Sequence, residues 1–291
     1  MIQSMPLRST AESASERERE RPFFGIHLLC RADGRLPTLS NAQTPTLPTV
    51  SRTRYTECNA APVRFQASHF SMPPSMTPPD DLDYVAIEGA IGAGTTTLAQ
   101  LLADRFEADA VLERFEENPF LERFYEDRDR WAFQTQLAFL ASRFRQQKEL
   151  SERDLFHDLA VSDYTFDKDR IFARQTLSGD ELQLYESLFR LMEPTVPTPD
   201  LVVYLRSSPE RLLENIEKRD RPYERDMDPG YIADLHDAYD QYFRQYDHTP
   251  LLVANVAEMD FVEHSVHFRA LVQHIVAPSD ERLRHVHPQP S

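Results

Sequence analysis

The chain is short of glycine and of lysine: seven glycines and three lysines (Lys148, Lys168, Lys218) occur in 291 residues. It has no run of 18 apolar residues, so no segment reads as a membrane-spanning helix. Beyond residue 80 it has no cysteine, since both, Cys30 and Cys58, precede that point. Disulfides, thiolate zinc sites and cysteine nucleophiles are thereby excluded from that stretch. Positive charge is also scarce, with 32 Lys and Arg against 48 Asp and Glu and a net charge of −16. The first 80 residues carry +2 (nine Arg against seven acids), so the remainder carries −18. A body that acidic repels nucleic acid and anionic membranes, and neither is expected as a partner.

Residues 1–80 are rich in Ser, Thr, Arg and Pro, with ten prolines and the run Glu16-Arg-Glu-Arg-Glu-Arg21. They show no sustained apolar period and are expected to be a disordered extension. An Arg- and Ser-rich head resembles a transit peptide, but its acidic residues argue against one. A start codon read too early is the plainer account, with Met72 or Met76 as more natural beginnings. Residues 81–277 suffice for one domain with a sizeable core. Residues 278–291 are polar and Pro-bearing and are expected to form a flexible tail.

From Tyr84 onward short apolar runs alternate with helical spacing. Strands are expected at Tyr84–Ile87, Ala110–Leu112, Leu159–Val161, Leu201–Leu205 and Leu251–Ala254. Helices are expected near Thr97–Phe106, Asn118–Glu126 (with Pro119 in its first turn), Arg128–Leu150, Phe166–Leu177, Asp180–Met192, Glu210–Lys218, Pro229–Tyr246 and Phe261–Val276. Ser208 and Pro209 read as the cap and first residue of one helix. In the long stretch, Phe133, Leu137, Leu140 and Phe144 are spaced 4, 3, 4. The alternation predicts an α/β fold: a parallel sheet covered by helices on both faces.

Three of the five glycines after residue 80 fall within six positions, in Gly89-Ala90-Ile91-Gly92-Ala93-Gly94-Thr95-Thr96-Thr97. This segment joins an expected strand to an expected helix, the setting of a phosphate-binding loop. Glycines allow the positive φ angles that turn successive N–H groups inward. The helix N-terminus adds free N–H groups and a positive dipole end. Thr96 stands where such a loop holds Mg²⁺. The pattern departs at Thr95, where Gly-x-x-x-x-Gly-Lys-[Ser/Thr] has lysine. That lysine serves the β- and γ-phosphates. A charge-assisted hydrogen bond is worth about 1.5–3 kcal/mol, so its loss from the transition state costs about ten- to a hundredfold in rate. Arg219 and Arg221, in Lys218-Arg219-Asp220-Arg221, are candidates to fold over the phosphates from a lid.

With these residues in view, the stretch 83–276 resembles the bacterial deoxynucleoside kinases. The resemblance rests on the phosphate loop, Leu112-Glu113 with Glu116-Glu-Asn-Pro-Phe120, Phe124-Tyr-Glu-Asp127, Ala132-Phe-Gln-Thr-Gln136, Ser162-Asp-Tyr-Thr-Phe-Asp-Lys-Asp169 and the Lys218–Glu224 segment. It implies a P-loop kinase fold with a five-stranded parallel sheet and an Arg-bearing lid. It also implies transfer of the ATP γ-phosphate to a deoxynucleoside 5′-hydroxyl with Mg²⁺, a homodimer, and a cytoplasmic setting. Carried over, Glu113 accepts the hydroxyl proton and Asp163 binds Mg²⁺ with Thr96, although the two carboxylates are free to exchange roles. Tyr125 and Glu224 match the pair on the sugar 3′-hydroxyl. Gln136 matches the amide on the base edge, and Asp169 an acidic residue of the base pocket, which favours a base with an exocyclic amine. Tyr164 stands where many relatives have arginine, beside the substrate. Phe133, Phe139 and Phe166 are either pocket walls or core. His157, His236, His248, His264, His267 and His274 show no metal-ligand spacing.

Three readings follow. The first is an active, purine-leaning deoxynucleoside kinase. The second, prompted by Thr95, is a weak or non-catalytic nucleotide-binding subunit, alone or paired with an active paralogue in a heterodimer. The third is a nucleoside-monophosphate kinase, whose acceptor phosphate needs a cationic clamp that Glu113, Tyr125, Gln136 and Glu224 do not form.

Overall fold

Tyr84-Val-Ala-Ile-Glu88 is buried along its whole length, as a strand covered on both faces must be. It is β1 of a computed structural model that describes residues 77–79, 81–152, 159–225, 227–277 and 279–288. The other strands are β2 (Asp109–Val111), β3 (Ala160–Ser162), β4 (Leu201–Arg206), β5 (Leu251–Asn255) and β6 (Leu283–Val286). They form one sheet in the order β2-β3-β1-β4-β5-β6. Every neighbouring pair is parallel, with Ala86 of β1 opposite Ser162 on one side and Val202 on the other. The expected 1–80 extension lies outside the described residues, Thr77–Pro79 apart, as does His157.

Among the described residues eight α-helices join the strands: α1 (Thr95–Phe106), α2 (Leu121–Glu126), α3 (Arg128–Glu152), α4 (Asp167–Thr176), α5 (Gly179–Met192), α6 (Pro209–Arg219), α7 (Pro229–Arg244) and α8 (Ser265–Val276). Ser208 caps α6 as expected, its side chain accepting from the Arg211 N–H at 3.3 Å with Pro209 as first residue. The main core lies along the sheet, where Ile87, Leu98, Val203, Leu205, Leu212, Leu235 and Leu252 are at most 1 % exposed. A second cluster lies at α3, α4 and α5 around Leu140, Ala173, Tyr185 and Phe189. Phe166 belongs to it, stacked on Phe189 at 4.8 Å, and Phe133 packs against it.

The structure corrects three expectations. Pro119 does not open α2. A 3₁₀ turn (Phe115–Glu117) intervenes and α2 begins at Leu121. Asn118 makes the bend between them, its Oδ1 accepting from the Phe120 N–H at 3.0 Å. On α3, Phe133, Leu137 and Phe144 are only half-buried. The deepest stripe is Ala132, Gln136, Leu140, Arg143, Gln147 and Leu150. A helix whose buried face is half polar is one that walls a site as well as a core. Finally, the sheet has six strands rather than five, because the segment 279–288 is not a loose tail: β6 pairs with β5, Leu283 opposite Leu251. Its sequence, Leu-Arg-His-Val, is a short edge strand with alternating exposure, and lacks the apolar run that marks the central strands.

The chain leaves β1 toward β2 but leaves β3 toward β4, so the exits of these two adjacent strands diverge. That divergence opens a crevice at the carboxyl end of the sheet, where ligands of open α/β folds bind. No residue of β6 lines that crevice. A chain ending at Ala277 is therefore expected to melt roughly 5 °C or more lower, since about 1 kcal/mol shifts Tm by about 2–4 °C in a domain this size. Its nucleotide binding should stay unchanged. Thermal unfolding with a parallel nucleotide titration checks both halves, and lost binding in a folded truncation would assign β6 to the site.

Candidate active site

The phosphate loop is held from behind. Gly92 and Gly94 have φ of 90° and 91°, in the left-handed region. A Cβ at Gly92 would stand 2.5 Å from the Leu212 carbonyl oxygen of α6, and one at Gly94 would stand 2.7 Å from the Phe261 ring. Asn215 of α6 donates to the Gly92 carbonyl at 2.8 Å, which fixes the turn. No side chain caps the start of α1, which leaves its first N–H groups to face the crevice, as an anion site requires. Gly89, Ala90, Ile91, Gly92, Gly94, Thr95, Thr96 and Thr97 line a cleft of about 260 Å³. Ala93 is not among them; it is buried beneath the turn.

Asp163 follows β3 directly. It accepts the Thr96 hydroxyl at 2.5 Å and the Glu113 N–H at 2.7 Å. The expected Mg²⁺ pair and the expected proton acceptor are thus one connected unit. Glu113, two residues past β2, accepts from Lys168 at 2.9 Å and pairs with Arg143. Burial alone would raise its carboxyl, but Arg143 and Lys168 more than offset that and hold it down at about 2. Arg143 is 3 % exposed and also pairs with Asp169. Burial opposes its charge, and the two carboxylates outweigh burial. Burial, with a smaller contribution from Glu113, pushes Asp163 up.

Sequence reasoning missed Glu88, Arg143 and Lys168. Glu88 ends β1, is fully buried, and accepts from the Thr165 N–H at 2.6 Å and the Thr165 hydroxyl at 2.8 Å. Burial raises its carboxyl to about 7 against the pull of Lys168. Arg143 was legible in principle, since it lies two helical turns after Gln136 and so shares its face. Lys168 was legible as one of three lysines, inside a segment already singled out.

At the far end, Tyr125, Gln136, Phe139, Arg219, Arg221 and Glu224 all line the cleft. Tyr125 stacks on Tyr223 at 5.6 Å, and burial first, then Tyr231 and Glu224, push its phenol well up. Gln136 donates to Thr176 at 3.1 Å, and its buried carbonyl oxygen has no hydrogen-bond partner. Arg219 donates two hydrogen bonds to Glu224, at 3.0 and 2.7 Å; Arg221 lies over the Phe115 ring at 4.0 Å. Arg219 and Arg221 thus flank the turn at Pro222–Glu224 where it meets the cleft. Two expected substrate contacts do not reach the cleft. Tyr164 is wholly buried behind Arg143, its ring 6.0 Å from the guanidinium, because the residue after Asp163 turns inward to the core. Asp169 is also fully buried and meets the cleft only through Arg143. Of the three phenylalanines, Phe139 lines the cleft; Phe133 and Phe166 serve the second cluster. Among the described residues no group of three His, Cys, Asp or Glu side chains forms a metal cluster, and no helix is long and apolar enough to cross a membrane.

A parallel sheet with this loop after β1 and carboxylates at the ends of β2 and β3 defines a P-loop kinase. The deoxynucleoside kinase family model matches residues 85–278, and the chain belongs to that family of phosphotransferases acting on a hydroxyl group. The chain is 34 % identical to a deoxyguanosine kinase of Bacillus subtilis (strain 168), over 66 % of this chain and 95 % of that one. It is 30 % identical to the deoxyadenosine/deoxycytidine kinase of the same organism, over 66 % and 91 %. A solved deoxyadenosine kinase from M. mycoides with bound dCTP superposes with a TM-score of 0.57 and 25 % identity, covering 66 % of this chain and 98 % of that one.

The raised carboxyl of Glu88 gives a signed expectation. A carboxyl raised from 4.5 to about 7 binds more protons folded than unfolded, so it costs stability as pH rises from about 4.5 to about 7. Glu88→Gln removes that titration. Its stability relative to the unchanged chain should rise across this window by up to about 3 kcal/mol, at 1.36 kcal/mol per unit. Urea unfolding of both proteins at pH 5 and pH 8 measures it; a pH-independent difference would mean that Glu88 is ionised throughout.

Proposed function

We propose that the chain transfers the ATP γ-phosphate to the 5′-hydroxyl of a deoxynucleoside, with deoxyguanosine and deoxyadenosine preferred. The observation that carries this reading is the continuous link from loop to acceptor side: Thr96 to Asp163, Asp163 to Glu113, Glu113 to Arg143 and Lys168. It supports the reading by joining the Gly-rich loop and the Glu113 carboxylate at one crevice. Gly89 to Thr97 cradle the phosphates through main-chain N–H groups. Thr96 and Asp163 offer a hydroxyl and a carboxylate in contact, a hard-oxygen pair suited to Mg²⁺, which binds with one or two carboxylates and substrate phosphates. When bound there, Mg²⁺ supplies charge neutralisation at the transferring phosphate.

Glu113 orients the 5′-hydroxyl and takes its proton. A carboxylate held at about 2 is a weak base, so orientation is its larger contribution and the proton leaves late, as a loose transition state allows. Tyr125 and Glu224 hold the sugar. The open carbonyl of Gln136 suits an exocyclic amine on the base, and the names of the similar kinases agree with a purine. Arg219 and Arg221 meet the phosphates from the lid. Asp169 and Tyr164 act behind Arg143 rather than on substrate. We further propose a cytoplasmic homodimer. Thr95 favours one second reading, a nucleotide-binding subunit with little turnover of its own.

An assay of the purified chain with ATP, Mg²⁺ and each of four deoxynucleosides tests this. Phosphorylation of a purine deoxynucleoside is expected, with Glu113→Gln slower by about 10²–10⁴-fold. Turnover by Thr95→Lys alone would establish the second reading; turnover by neither would remove the kinase assignment.

A further inference from the structure

The kinase reading brings lid arginines to the phosphates but leaves one question: which side chain stands in, at the loop's own wall, for the lysine that the loop lacks at Thr95. Four cations line the cleft: Arg143, Lys168, Arg219 and Arg221. Arg143 divides its terminal nitrogens between Glu113 and Asp169. Arg219 is fixed on Glu224, and Arg221 lies over Phe115 with Glu224 at 3.6 Å. Lys168 is placed differently. It stands in the first turn of α4, is 9 % exposed, and its ammonium bonds Glu113 at 2.9 Å. Burial opposes its charge; Glu113, Glu88 and Asp163 favour it, and Arg143 opposes it. These three carboxylates belong to the phosphate end: Glu88 immediately precedes Gly89, and Asp163 holds Thr96. Arg143 shares Glu113 with Lys168 but is held at its other nitrogen by Asp169 behind the cleft, and Arg219 and Arg221 are held on Glu224. A lysine ammonium is a compact charge with three donors, and Glu113 takes one of them.

We propose that Lys168 is a positioning residue that supplies, from α4, the positive charge the phosphate loop lacks at Thr95. It acts through Glu113 and Asp163. Its ammonium on Glu113 sets a positive charge at the wall where a polyanion enters beside Glu113 and Asp163. Without it, Glu113 and Asp163 face the incoming phosphates with only Arg143 beside them.

The inference rests on the kinase reading, and the experiment separates the two. Lys168→Met and Lys168→Arg are each made in the unchanged chain and in Thr95→Lys. The constants kcat and KM are measured for deoxyguanosine and ATP with Mg²⁺. In the unchanged chain Lys168→Met should lower kcat about ten- to a hundredfold, the scale of one charge-assisted contact. KM for the nucleoside should hold, and Lys168→Arg should recover part of the rate. In Thr95→Lys the same Met change should cost at least about tenfold less, because charge is then supplied twice. An equal loss in both backgrounds, a loss confined to nucleoside KM, or no loss would each overturn the proposal. So would an unchanged chain without turnover beside an active Thr95→Lys, since the charge would then not have been replaced. If neither turns over, the kinase reading falls and this proposal with it. Should Lys168→Met not fold, Lys168→Arg read in the two backgrounds gives the same comparison: a smaller loss in Thr95→Lys supports the proposal and an equal loss overturns it.

Discussion

Glu88 is the last residue of β1, and none of its surface reaches solvent. Its carboxylate takes both donors of Thr165 on the segment that leaves β3, and the Gly89 N–H at the start of the loop at 3.3 Å. The parallel pairing of β1 and β3 brings the strands together only as far as Ala86 and Ser162. Past that point the chain departs in opposite directions, and ladder hydrogen bonds no longer set the spacing. The Glu88 strap sets it instead. The 2.5 Å approach of Thr96 to Asp163 depends on it, because one residue lies on each departing segment. A buried carboxylate is costly unless its acceptors are filled and a cation is near. Thr165 and Gly89 fill them, and Lys168 is the cation.

The same logic continues outward. Three carboxylates at or behind the cleft meet cations, and Arg143 is shared by two of them: Glu113 has Arg143 and Lys168, Asp169 has Arg143, and Glu224 has Arg219 and Arg221. Breaking such a buried pair by removing one partner is more damaging than replacing both, because it strands a charge. The walls of the cleft are therefore rigid electrostatically before any ligand binds. This also shows how a chain of net charge −16 accommodates a polyphosphate. The protein does not attract it with a basic surface; it places a few cations on α3, α4 and the end of α6 around a cradle of neutral N–H groups.

What the sequence disclosed followed physical signal strength. β1, β4 and β5 were legible because strands buried on both faces are continuously apolar. The loop was legible because three glycines crowd together in a stretch otherwise nearly free of them. β6 was not, because an edge strand of Leu-Arg-His-Val carries no apolar run. Glu113, Asp163, Tyr125, Gln136 and Glu224 were found through motif position and do meet at one cleft. Tyr164 and Asp169 occupy motif positions too, yet both point into the protein, since motif spacing does not say which way a side chain leaves the chain. Glu88, Arg143 and Lys168 were passed over for a related reason. A charged residue in a strand or on a helix reads as surface, and only tertiary packing reveals it to be buried and paired.

Thr95 can be understood on the same terms. The cradle is made of main-chain N–H groups whose directions follow from Gly92, Gly94 and the start of α1, and from the packing of Leu212, Asn215 and Phe261 behind them. None of these depends on the side chain at position 95. Thr95 lines the cleft and turns its methyl toward the first glycine of the loop, 3.2 Å from where a Cβ on Gly89 would lie. On the proposed reading, nucleotide binding and transition-state charge are carried by different parts of this fold. Binding belongs to the loop backbone, which is intact. Charge belongs to side chains that other elements deliver, and α4 brings Lys168 to the wall the loop shares with Glu113 and Asp163. A loop lysine is one way to deliver a cation to that wall, and the sheet's divergent exits leave room for another element to do so.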